Sequence, residues 1–160
     1  MDNWTEFCKK GAVGTMERFL RVLALIPEDK LTWSPSPTAK SALQIAAHTA
    51  AATGNFVQMI RDRKLPMGDE IPELVARTKL MEESLTSLSA IERALRQNTA
   101  DVLAAIDGLS PEEMEIVLDS SLGWTMPMTA LMNLPATHVN GHIYQLDYLQ
   151  TCWGDMEVHF

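Results

Sequence analysis

Cysteine, long hydrophobic runs and basic residues are all scarce in this chain of 160 residues. The two cysteines, Cys8 and Cys152, are too few for the disulfide framework of a small secreted protein. No apolar run approaches the roughly 18 residues that a transmembrane helix needs. Acidic residues outnumber basic ones by 21 to 13, which argues against nucleic acids and anionic membranes as partners. The chain begins with charged residues rather than a signal peptide, so we expect a cytoplasmic protein with a single domain over residues 1–160.

No segment alternates apolar and polar residues clearly enough to predict a β-strand, and only residues 115–122 are ambiguous between strand and other structure. Apolar residues instead recur at steps of three and four, which is typical of helices that bury one side. We therefore predict an all-α fold with four long helices. These run from Asn3 to just before Pro27, from the cap Ser41 to about Arg63, from Leu88 to Asp107, and from about Met128 to Trp153.

The segments between the long helices carry weaker patterns. Between Lys64 and Ser84 we predict only a short helix after Pro72, followed by an irregular piece. A second short helix is predicted after its cap Ser110. The connections after the second and third long helices are long, so neighbours along the chain need not be antiparallel and the bundle can contain a crossover.

Two of the four histidines, His138 and His142, lie four residues apart on the last predicted helix. At about 100° per residue their directions differ by only about 40°, so the two imidazoles point the same way, one turn apart. Such a pair can bind one metal ion. The alternative is a pair of ordinary helix histidines that are satisfied by hydrogen bonds.

His48 lies within the least polar run of the protein, residues 42–52, which contains six alanines. A helix of this composition is buried on more than one face, and a buried imidazole needs a partner for each ring nitrogen. Alanine supplies none, so a site shared with His138 and His142 would satisfy all three rings. A core histidine with hydrogen-bond partners remains the alternative for His48, and His159 is expected to be solvated in the tail.

The segment from Ser41 to His48, followed by His138-x-x-x-His142-x-x-Gln145, resembles the DinB/YfiT-like superfamily of four-helix-bundle metalloproteins. The resemblance implies a four-helix bundle, often dimeric, in which a long crossover joins helices two and three. It implies that His48, His138 and His142 bind one divalent metal ion, zinc or nickel. It also implies a small-molecule substrate, for some members a low-molecular-weight thiol.

Three histidine ligands leave one position of a divalent ion open for water or a substrate. Gln145 shares the face of His138 and His142, and Asn55 shares the face of His48, so either amide could support the site from outside the ligand set. Alternatively, each is a buried amide bonded to backbone. Both cysteines are interpreted as small core residues rather than as a fourth ligand.

Three functions are compatible with this sequence. The first is a metal-dependent transferase or hydrolase that acts on a small thiol or uses activated water. The second is a bundle that a metal ion stabilises without catalysis. The third is a stress-related interaction module in which the histidines are incidental.

Overall fold

The computed structural model describes residues 2–159, without the side chain of Asp2. Four long helices are present, as the sequence predicts, with two further α-helices, one 3₁₀ turn at Glu28–Lys30 and a short hairpin. The helices are α1 (Asp2–Ala24), α2 (Ala42–Asp62), α3 (Ile71–Ser84), α4 (Leu88–Asp107), α5 (Pro111–Met114) and α6 (Met128–Cys152). The strands are β1 (Val117–Asp119) and β2 (Thr125–Pro127), which pair antiparallel.

The start of α2 is fixed by the predicted capping box. The Ser41 hydroxyl accepts a hydrogen bond from the Gln44 backbone N–H at 3.3 Å, and the Gln44 side chain accepts one from the Ser41 N–H at 2.9 Å. Two donors that the first helical turn cannot pair internally are thereby satisfied. The short helix α5 begins with a second box, formed by Ser110 and Glu113. Both predicted caps are confirmed.

The helices α2 and α4 run in the same direction although they are consecutive long helices. The Asn98 side chain on α4 donates to the carbonyl oxygen of Ala50 on α2 at 2.9 Å. Closer to the C-terminus of both helices, Arg61 lies 3.3 Å from Asp101. Residue numbers therefore rise together along the two helices. Residues 63–87 return the chain to the end at which α2 began, which is the predicted crossover.

The first and last helices, α1 and α6, are parallel to each other in the same way. The Trp4 indole N–H donates to the Thr129 carbonyl oxygen near both N-termini, and the Arg18 guanidinium lies over the Tyr144 ring further along. The α4 helix runs antiparallel to α1, because Lys9 pairs with Asp107 and Glu17 pairs with Arg96. In the bundle, α1 and α6 therefore run in one direction, and α2 and α4 run in the opposite direction.

The core consists of two clusters of buried apolar side chains. One lies at the end of the bundle where α2 begins and contains Phe19, Leu95 and Ile143, and the other lies where α2 ends and contains Ile60 and Met132. Twelve residues of α2 are buried, which confirms that this helix is covered on more than one face. Pro135 lies inside α6, which continues through it.

The segment between Lys64 and Ser84 differs from its prediction. A regular helix, α3, spans Ile71–Ser84 where a short helix and an irregular piece were expected. All of its residues are at least partly exposed, and it packs against α2. A helix that contacts one neighbour needs only a narrow apolar stripe, and this explains why its sequence pattern is weak.

Two predictions for the C-terminal region are wrong. Cys152, expected in the core, is exposed because it is the last residue of α6 and lies beyond the packed part of the bundle. His159, expected to be solvated, has a side chain only 12% exposed, and its Nε2 lies 2.9 Å from Asp155 Oδ2. The chain turns at Gly154, where φ is 93°. Cys8 is fully buried, as predicted.

The ambiguous segment 115–122 contains β1, one strand of the hairpin. This hairpin connects α5 to α6 and leaves the fold all-α in character. Within residues 2–159, none of the helices has the combination of length and apolar character needed to cross a bilayer.

Candidate metal centre

Three imidazole rings meet between α2 and α6. The two helices are antiparallel, so His48 on α2 faces the His138–His142 pair one turn apart on α6. One ring nitrogen from each residue lies within 4.8 Å of the others. The ring centroids are 5.4 Å apart for His48 and His138, 5.0 Å for His48 and His142, and 4.4 Å for His138 and His142. The structure thus brings together the three histidines that the sequence singles out.

Hydrogen bonds indicate which nitrogens face the centre of the cluster. His48 Nδ1 lies 2.6 Å from Glu82 Oε1, and His142 Nδ1 lies 2.7 Å from Gln145 Oε1. Both partners are acceptors when Glu82 is ionised, so we assign the proton of each neutral ring to Nδ1. The Nε2 atom of each of these two rings then carries a lone pair, and that of His142 lies at hydrogen-bond distance, 3.2 Å, from His138 Nε2.

A divalent ion fits the needs of this cluster. His138 Nδ1 is buried and has no hydrogen-bond partner within residues 2–159. An ion at Nε2 would place the proton of His138 on this Nδ1 without giving it a partner, so the case for an ion rests on the convergence of the three ring nitrogens. The neighbouring rings offer Nε2 lone pairs rather than additional donors. An ion bound by the three Nε2 atoms would take up three lone pairs at once, and neutral imidazole is a preferred ligand of zinc and nickel.

The electrostatics of the cluster favour neutral imidazoles. Burial, together with the positive charges that His142 and His48 can carry, lowers the pKa of His138 to about 4. Burial also lowers the pKa of His142, helped by the charges of His48 and Lys40, although the hydrogen bond to Gln145 acts in the opposite direction. At neutral pH these two rings are thus already in the unprotonated form that a metal ion requires.

Glu82 is the residue of the site that the sequence did not reveal. It lies in the last turn of α3, and its second carboxylate oxygen is 3.2 Å from Lys40 Nζ. Burial raises its pKa, but the hydrogen bonds from His48 and Lys40 outweigh this, so the net pKa is lowered and the carboxylate stays ionised. No local motif marks Glu82, because its role depends on how α3 folds onto α2.

Acidic residues of α4 do not join the cluster. Asp101 pairs with Arg61, and Glu92 pairs with Arg96. Among the described residues, the group of potential ligands consists of the three histidines alone. The cluster therefore offers three ring nitrogens as potential ligands.

The two amides singled out by spacing have different environments. Gln145 contacts the cluster directly through His142. Asn55 instead donates to the Thr78 hydroxyl at 2.8 Å and so connects α2 to α3. The apolar neighbour of the site is Phe56, whose ring centroid lies 5.2 Å from that of His138.

Two cavities share Lys40 and are lined by the hydrogen-bond partners of the cluster, Glu82 and Gln145, rather than by the histidines themselves. One, of about 380 Å³, lies between α2 and α3 and is lined by Ala47 and Glu82 among others. The other, of about 410 Å³, lies beside α6 and is lined by Gln145 and Tyr144 among others. A third cavity of about 220 Å³ is polar and lies further along α2, next to Asn55. The first two are large enough for a small organic ligand.

The fold and the cluster define an all-α bundle with a three-histidine centre. The DinB superfamily model matches residues 13–146, and the chain belongs to that superfamily. A DinB-like protein from Bacillus subtilis has a similar structure, with a TM-score of 0.65 and 16% sequence identity over 96% of this chain and 95% of its own.

The structure of a mycothiol-dependent maleylpyruvate isomerase is also similar, with a TM-score of 0.61 and 16% identity. The match covers 89% of this chain but 60% of the isomerase. At this level of identity both likenesses concern the fold. No curated protein sequence matches the chain significantly.

Proposed function

We propose that this protein is a metal-dependent enzyme that binds one divalent ion, zinc or nickel, through His48, His138 and His142 and acts on a small molecule. The observation that carries the proposal is the convergence of three ring nitrogens within 4.8 Å. Each of these rings is presented by a helix of the bundle core rather than by a loop, so the ligand geometry is set before the ion binds. A preorganised site of this kind suits catalysis.

The proposed reaction class follows from the number of ligands. A divalent ion held by three imidazoles keeps a position for an exogenous ligand and lowers the pKa of a thiol or water bound there. Gln145 orients the ring of His142 through its Nδ1 atom. Lys40, which lines both cavities, provides a cation for an anionic group of the substrate.

A low-molecular-weight thiol is the substrate class that we favour. The similar fold of a mycothiol-dependent isomerase supports this choice, and thiolate is a stronger ligand than water for zinc and nickel. A cytoplasmic location fits the exposed free thiol of Cys152, because thiols stay reduced in that compartment. A homodimer, as is frequent in the superfamily, is part of the proposal and is tested by light scattering.

Metal analysis of untagged protein tests the binding step. We expect about one divalent ion per chain. His48→Ala should lose stoichiometric metal, because the remaining pair comes from a single helix. His159→Ala is the matched control, since it removes a histidine outside the cluster and should retain the ion. Full retention of metal in His48→Ala would remove His48 from the site.

Turnover of a panel of thiols tests the catalytic step. We expect one or more low-molecular-weight thiols to be consumed by the metal-loaded protein and not by His48→Ala. Direct binding of thiol should also change the visible spectrum of the cobalt-substituted protein, because the ligand field of the ion changes. A spectrum that is unaffected by millimolar thiol, azide and imidazole would argue against an exchangeable position.

A purely structural ion is the second candidate. It is favoured by one observation, that the ligands come from two different helices of the core, α2 and α6, so that an ion would fasten them together. In this case metal removal lowers the unfolding temperature, but the bound ion exchanges no ligand with thiol. The cobalt experiment therefore separates the two functions.

A further inference from the structure

The Glu82 side chain joins the histidine cluster to a basic residue at its edge. Its Oε1 atom lies 2.6 Å from His48 Nδ1, and its Oε2 atom lies 3.2 Å from Lys40 Nζ. The carboxylate is only 20% exposed. The bridge connects α3 to α2 and to the segment just before α2, at positions that lie 34 and 42 residues from Glu82 along the chain.

Neither helix stability nor core packing explains this placement of Glu82. It lies in the last turn of α3, where the partial negative charge of the helix C-terminus disfavours a carboxylate. The helix α3 contains no fully buried residue to dictate its orientation. The position also removes much of the carboxylate from water, which is unfavourable without partners. The contacts with His48 and Lys40 offset the unfavourable helix dipole and the loss of hydration.

We propose that Glu82 is a positioning residue: it accepts the Nδ1–H of His48, fixes the tautomer of that ring, and directs the Nε2 lone pair towards His138 and His142. Lys40 holds the other carboxylate oxygen and so restricts rotation of the carboxylate. Carboxylate–histidine pairs of this type orient metal-binding imidazoles and strengthen their donor atoms. The crossover helix α3 is then a part of the metal centre. The inference rests on the proposed metal-binding function.

The hydrogen bond is testable in metal-free protein by NMR of the His48 ring nitrogens. In the wild-type protein Nδ1 should carry the proton and Nε2 should have the shift of an unprotonated nitrogen. In Glu82→Ala the ring should shift towards the Nε2-protonated tautomer, which is the commoner form of an imidazole without such a partner. Glu82→Gln should keep the wild-type tautomer, because its amide oxygen still accepts the hydrogen bond.

Metal affinity, measured by competition with a chelator, tests the consequence for binding. Glu82→Ala should bind zinc about 10–100-fold more weakly, as is typical when such a partner of a ligating histidine is removed. Glu82→Gln should recover part of this loss. Glu83→Ala is the control: Glu83 is the exposed neighbour on the same turn, and its carboxylate is 3.9 Å from Lys79 Nζ. It should bind zinc as the wild type does.

The outcomes distinguish this inference from the function on which it rests. A wild-type protein that binds no divalent ion would overturn the proposed function, whatever the tautomer of His48. An unchanged tautomer in Glu82→Ala, or an equal loss of zinc affinity in Glu82→Ala and Glu83→Ala, would overturn the positioning role and leave the three-histidine site intact. Circular dichroism of each variant verifies that the bundle is folded.

Discussion

The stability of the metal-free protein should fall in a defined range of pH because of His138. Its pKa is about 4 in the folded protein, against 6.5 for the exposed side chain. Between these values the unfolded chain binds a proton that the folded protein does not, so unfolding becomes easier as the pH falls. The stabilisation is complete above pH 6.5 and is progressively lost down to about pH 4.

The magnitude follows from the difference in pKa. The pKa falls from 6.5 to about 4, so at about 1.4 kcal/mol per pKa unit the contribution of His138 is at most about 3.5 kcal/mol. The ring retains some contact with solvent, which screens part of the effect, so we expect about 2 kcal/mol. This is a substantial fraction of the stability of an ordinary domain of about 5–15 kcal/mol.

Urea denaturation of chelator-treated protein at several pH values measures this effect. Because Gln does not titrate, the free energy of unfolding of His138→Gln should decrease less between pH 6.5 and 4 than that of the wild type, by about 2 kcal/mol. Equal slopes for His138→Gln and the wild type would refute the conclusion that the folded protein holds His138 neutral. The wild type and His138→Gln contain the same acidic residues, so the titration of carboxylates does not account for the difference between them.

Three further predictions concern the surroundings of the site. Ser41→Ala removes the cap of α2 and should lower the free energy of unfolding by about 1 kcal/mol in urea denaturation; no change would contradict the role of the capping box. A thiol reagent should modify the exposed Cys152 in the native protein but leave Cys8 unmodified, because Cys8 is fully buried and burial raises its pKa to about 11; equal labelling would refute this. Thr78→Val removes the contact with α2 and should destabilise α3 by about 1 kcal/mol, which speeds hydrogen exchange of its amides about fivefold; unchanged exchange would show that other contacts hold α3.

Local rules made a large part of the fold predictable from the sequence. The start of α2 follows from Ser41 and Gln44, whose side chains pair with backbone atoms only three residues away. The shared direction of His138 and His142 follows from helix geometry alone. Such features depend on a few neighbouring residues, so tertiary structure does not alter them.

Features that depend on distant contacts were not predictable in this way. The helix α3 lacks a strong apolar stripe because it rests on one side of α2, and its sequence resembles that of an irregular connection. The bond from Glu82 to His48 spans 34 residues. Cys152 is exposed because the other helices no longer cover α6 at its end. The sequence of α6 itself does not indicate where this cover ends.

The direction of the helices explains why the crossover matters for the site. Because α2 is antiparallel to α6, His48 can meet the middle of α6, where His138 and His142 are supported by the core on both sides. The parallel arrangement of α2 and α4 then requires a connection that travels the length of the bundle. That connection contains α3, and α3 brings Glu82 back to the level of His48. The long connection that the parallel arrangement of α2 and α4 requires therefore also places a carboxylate beside the candidate ligand His48.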